Sequence, residues 1–72
     1  MTPRFKSEFA EILDIDEGDV TPDMALDESI WDSLAVVSTA ALIDEEYSKI
    51  VDGEKLNSVS SVAELMSLIE AS

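Results

Sequence analysis

The 72-residue sequence contains no cysteine and no histidine. Without cysteine it has no disulfide and no thiolate-held zinc or iron–sulfur site. Without histidine, Ser-His-Asp and Cys-His arrangements lack their base. Basic residues are scarce as well: 4 Lys and Arg stand against 17 Asp and Glu, for a formal net charge of -13. Such a surface repels nucleic acid and anionic lipid, and it speeds encounter with partners that carry basic patches. The stretch Met1-Thr2-Pro3-Arg4-Phe5 lacks the apolar core of a signal peptide, and no apolar run is long enough to span a bilayer. A cytoplasmic protein without membrane insertion is expected.

What is present is an ordinary apolar fraction, 46% of residues, which argues for a folded domain rather than an acidic disordered chain. A chain this short makes one domain, expected over residues 1–72, with a modest core and marginal stability. It has too few residues for a deep cleft between layers. Its only candidate general bases are surface carboxylates with no burial to make them more basic. A binding or carrier module is therefore expected, and an enzyme is not.

The apolar spacing predicts an all-α fold. Phe5, Phe9, Ile12 and Leu13 give the i, i+4, i+7, i+8 pattern of a helix over Pro3–Leu13, with Pro3 suited to its first turn. A long acidic connection without a base follows, from about Ile15 to Asp32, and a loop of that length in a small domain is usually functional. Ile15, Val20, Met24, Leu26 and Ile30 are expected to pack it on the core at intervals. The second helix is expected from Ser33 to Ser48, capped by Asp32 or Ser33, with Val36, Val37, Ala40, Ile43 and Tyr47 facing in. After a turn at Asp52-Gly53, residues Glu54–Val59 allow one or two helical turns, with Leu56 and Val59 inward. Ser61-Val62-Ala63-Glu64 reads as a capping box opening a last helix with Val62, Leu65, Met66 and Ile69 on its apolar face. The sum is a four-helix bundle of three longer helices and one short third helix, with no strand and no repeat.

Asp32-Ser33-Leu34 is the candidate site. It leaves the acidic loop and opens a helix, where free amides and the positive end of the helix dipole suit a phosphate on Ser33. Most serines at helix starts are simply caps, so the tripeptide alone does not decide. The whole chain, however, resembles the acyl carrier protein family. The resemblance rests on Asp32-Ser33-Leu34 as the attachment motif, on Leu34-Ala35-Val36-Val37 leading to Ile43-Asp44-Glu45-Glu46-Tyr47, on the apolar spacing Val51, Leu56, Val59, Val62, and on Ser61-Val62-Ala63-Glu64-Leu65 at the last helix. Size and acidity agree.

The resemblance implies a discrete, monomeric acyl-carrier-like protein. A phosphopantetheinyl transferase would attach 4'-phosphopantetheine from coenzyme A to Ser33, and acyl groups would ride on the arm as thioesters to partner enzymes of fatty acid, polyketide or a specialised acyl-transfer pathway. Asp32 would cap the helix and help place the transferase's metal or basic groups. Leu34 would be an exposed anchor for partner enzymes, and Asp44, Glu45 and Glu46 a face for the basic patches of acyl-loading and acyl-transferring enzymes. Trp31 would cover the root of the arm or pack in the core. The family's frequent glutamate early in the second helix is Ser38 here, a bulky contact further along is Ala41, and Gly53 and Asn57 stand where acids are common. These departures point to a carrier for a specialised pathway rather than the housekeeping carrier of fatty acid synthesis.

Three other readings compete. Aminoacyl or peptidyl carriers usually place Gly-Gly before the motif, where this chain has Ile30-Trp31. A calcium loop counted from Asp14 puts Asp19 at position six, where glycine is needed, and Ala25 at position twelve, where an acid is needed. An unmodified helical adaptor would use Ser33 only as a cap. If the protein shelters its cargo between helices, the long loop and the short third helix are expected to be its mobile parts.

Overall fold

The computed structural model describes Thr2 to Ser72. Met1, included in the expected domain span, lies outside the described residues. Four helices follow one another: α1 over Pro3–Leu13, α2 over Ser33–Tyr47, α3 over Gly53–Ser58 and α4 over Val62–Ala71. The all-α bundle expected from the apolar periods is the fold observed, with one short 3-10 turn, Glu17–Asp19, inside the long connection.

Local chemistry sets the ends of the helices. The Thr2 hydroxyl accepts the Phe5 amide at 3.1 Å, and Pro3 occupies a first-turn position that needs no amide hydrogen. α1 stops where Asp14 turns left-handed, at φ 57°, and α2 stops the same way at Ser48, at φ 54°. Neither residue is glycine, so both helices end with some backbone strain. Asp52 caps α3 by accepting the Glu54 amide at 2.8 Å.

The helices meet around Phe5, Phe9, Ile43, Leu56, Leu65 and Ile69, all essentially inaccessible to solvent. A run of aromatic rings crosses this core. Tyr47 lies 5.3 Å from Phe5, Phe5 lies 5.8 Å from Phe9, and Phe9 lies 6.0 Å from Trp31, measured between ring centroids. Two phenylalanines one turn apart on α1 thereby hold both ends of α2. An ion pair between Arg4 and Glu46, at 2.9 Å, sets the start of α1 beside the end of α2. The Lys49 ammonium donates to the Ile69 carbonyl at 3.0 Å, which sets the end of α2 beside the end of α4. α1 is thus antiparallel to α2.

The long connection is packed rather than projecting, and the radius of gyration is 10.7 Å. Val20 and Leu26 are buried, and Ile15, Met24 and Ile30 pack partly against the core. The middle of the connection closes the start of α4. The Met24 carbonyl accepts the Val62 amide and the Pro22 carbonyl accepts the Ala63 amide, both at 3.1 Å, and the Ser60 carbonyl accepts the Leu26 amide at 2.9 Å. One isolated antiparallel bridge, Ala25 to Ser61, results. Nearer α2, the side chain and amide of Ser29 donate to Asp27 and hold its carboxyl below the ordinary value of 3.8. A depressed carboxyl stabilises this turn above that value, and the contribution is lost as pH falls below it.

Two expectations need correction. The inward face of α2 is Ala35, Val36, Thr39, Leu42 and Ile43, whereas Val37 is 67% exposed. α2 is apolar around most of its circumference, so its spacing alone does not say which face turns in. The Ser61 capping box is only half formed. The Ser61 hydroxyl accepts the Glu64 amide at 3.2 Å, but the Glu64 carboxylate takes the hydroxyl of Ser60 instead of reaching back to the Ser61 amide.

Candidate functional site

The site is built on the first turn of α2. Asp32 is the N-cap, and its carboxylate accepts the Ala35 amide at 2.8 Å. The Asp32 carbonyl accepts the Val36 amide at 3.0 Å, so the helix begins at Ser33 itself. Ser33 is exposed. The amides of Ser33 and Leu34 have no partner among the described residues. The contrast with α4 is direct, because there the connection and the Ser61 hydroxyl occupy the first-turn amides. α2 presents to solvent a hydroxyl, two open amides and the positive end of a 15-residue helix.

The helical period brings further residues onto the face of Ser33. At 3.6 residues per turn, Ser33, Leu34, Val37, Ala41, Asp44 and Glu45 fall within about a third of the circumference, opposite the buried stripe. Leu34 is 74% exposed. Asp44 and Glu45 are exposed. The face therefore starts apolar beside Ser33 and becomes acidic two to three turns later.

Two of the sequence-predicted residues lie elsewhere. Glu46 is on the inner side of the helix, half-buried and paired with Arg4, so its charge is largely spent within the bundle. Trp31 is only 6% exposed, and its indole nitrogen donates to the Leu56 carbonyl at 3.1 Å. Of its two expected roles the structure shows packing in the core. Sequence reasoning missed Val37 as a surface residue and Ile50, 90% exposed just after α2. No sequence signal separates Val37 from the buried Val36, since α2 is apolar around most of its circumference.

Among the described residues, no group of three or more acidic side chains converges as a metal-binding set. No described helix is long and apolar enough to cross a membrane.

A small helical bundle that offers an exposed serine at an open helix start has the form of a carrier domain. The family described as phosphopantetheine attachment site matches residues 3–69, and the chain belongs to that family. Its members carry a 4'-phosphopantetheine prosthetic group and interact with transferases and acyl-handling enzymes. No curated protein matches the chain.

Proposed function

We propose that residues 1–72 form a single carrier domain in which Ser33 is the attachment point of 4'-phosphopantetheine, and that the cargo is an acyl group. The observation that carries this reading is the open first turn of α2, with an exposed hydroxyl and the unpartnered amides of Ser33 and Leu34. These residues fit the group: a phosphodiester on Ser33 meets two amide donors and the favourable end of the dipole. When attached, the group supplies a terminal thiol on a long arm, which holds acyl groups as thioesters.

The chain's own residues present rather than catalyse. Ser33 is an acceptor for the chemistry of a phosphopantetheinyl transferase. Asp32 fixes the helix start and leaves its second carboxylate oxygen for the transferase's metal or basic groups. Leu34 and Val37 offer apolar contact beside the attachment point, and Asp44 and Glu45 meet basic patches on loading and transferring enzymes. The absence of Gly-Gly before the motif favours an acyl over an aminoacyl cargo, and the residues at Ser38, Ala41, Gly53 and Asn57 favour a specialised pathway. A monomer in the cytoplasm is the setting that the charge and size support.

Intact mass of the protein isolated from its native source tests the cargo. A mass above the arm-bearing form that matches an acyl group, and is released by hydroxylamine, is expected. A mass matching an amino acid would replace this reading with the aminoacyl one.

A further inference from the structure

A groove of about 340 Å³ lies between α1, the long connection and α4. Val20, Thr21 and Pro22 line it from the connection, Val62, Ala63 and Met66 from α4, and Lys6 from α1. None of the Asp32-Ser33-Leu34 residues takes part. In a chain with 17 acids among 72 residues, no acid lines this groove. A second groove, between α3 and α4, is lined by Glu54 and Glu64 as well as Lys55. The two differ in sign: the first is apolar with one cation, and the second is acidic on balance.

Lys6 stands apart from two of the other bases. Arg4 is paired with Glu46, and Lys49 donates to the Ile69 carbonyl. Lys6 has neither kind of partner among the described residues. It is partly buried and lines the groove, as a lysine does when its apolar stem packs and its charge stays near water. The walls are held in place before any ligand arrives, because the Val62 and Ala63 amides are bonded to the Met24 and Pro22 carbonyls.

We infer that this groove binds a short aliphatic monocarboxylate, with its chain against Val20, Val62 and Met66 and its carboxylate on Lys6. An apolar cleft with one placed polar group is the usual form of a small-molecule site, and this volume is near the lower end of the roughly 300–1,000 Å³ range. The charge complementarity is local: Lys6 is among the lining residues and no Asp or Glu is, whereas most of the surface repels an anion.

The test is titration of the full chain with octanoate, followed by amide chemical shifts, with octylamine as a control of the same chain length and opposite charge. Saturable shifts confined to Lys6, Val20, Val62, Ala63 and Met66 are expected with octanoate and not with octylamine. Lys6→Gln should weaken binding roughly fivefold, the upper range for one partly exposed charge contact. Ala63→Trp, at an exposed position of α4, should fill the groove and remove the shifts while the rest of the spectrum stays native. Octylamine acting at the same residues, Lys6→Gln binding unchanged, or no saturable shift in the native chain would each overturn the proposal. Ser33→Ala should bind octanoate like the native chain, so the groove and the attachment reading fail or stand separately.

Discussion

The indole nitrogen of Trp31 donates to the carbonyl of Leu56 across 25 residues of sequence, inside the core. This bond ties the residue two places before Ser33 to α3. It fixes the direction from which the chain enters α2, and with it the position of the site relative to the short helix. Trp31→Phe keeps most of the apolar volume but leaves the Leu56 carbonyl with only the long bond from the Val59 amide, 3.5 Å. A loss of about 1–2 kcal/mol is expected in urea unfolding. A loss within error would mean that the bond contributes nothing beyond packing.

Thr39 is fully buried on the inner face of α2, and its hydroxyl has no partner among the described residues. The methyl of valine has nearly the same shape and needs none. Thr39→Val should therefore stabilise the fold by about 1 kcal/mol, which in a domain this small raises the melting temperature by roughly 4–8 °C. Destabilisation would show that the hydroxyl is satisfied in solution.

Asp14 and Ser48 end their helices in left-handed conformations. Glycine takes that conformation without a Cβ penalty, and Asp14→Gly also removes a negative charge from the negative end of α1. Each glycine variant should gain a few tenths to about 1 kcal/mol, with Asp14→Gly the larger. Equal or lower stability than the native chain for both would contradict the strain inferred at these two residues.

Asp32 and Leu34 separate folding from recognition. Asp32→Asn keeps a capping oxygen and should leave stability nearly unchanged, whereas Asp32→Ala should cost about 1 kcal/mol. Leu34→Ala removes an exposed side chain and should shift stability by no more than about 0.5 kcal/mol. If Asp32 and Leu34 face the transferase, Asp32→Asn and Leu34→Ala both slow arm attachment on fully folded protein. Native rates for both would confine these residues to structure.

The helices were legible because their caps and apolar spacings agree. Pro3 at the start of α1, Asp32 before α2 and Ser61 before α4 each stand where the structure places a helix start. The inward face of α2 was not legible, since Leu34 and Val37 are as apolar as Val36 and Leu42. Only packing against Phe5, Phe9 and Leu65 decides which of them is covered. The role of the connection was half visible: Val20 and Leu26 signalled core contacts, but the use of the Pro22 and Met24 carbonyls to close α4 leaves no trace in side-chain pattern. At the site, Ser33 and Asp32 stood out by motif. The diversion of Glu46 to Arg4 depends on the antiparallel pairing of α1 and α2, which no local signal encodes.

The central claim rests on one hydroxyl, and intact mass tests it most directly. Native protein and Ser33→Ala are incubated with coenzyme A, magnesium and a broad-specificity phosphopantetheinyl transferase. The account predicts one added phosphopantetheine on the native chain and none on the variant, with both chains folded. An arm on the variant would place the attachment elsewhere, and no arm on folded native protein with several transferases would contradict the carrier reading itself.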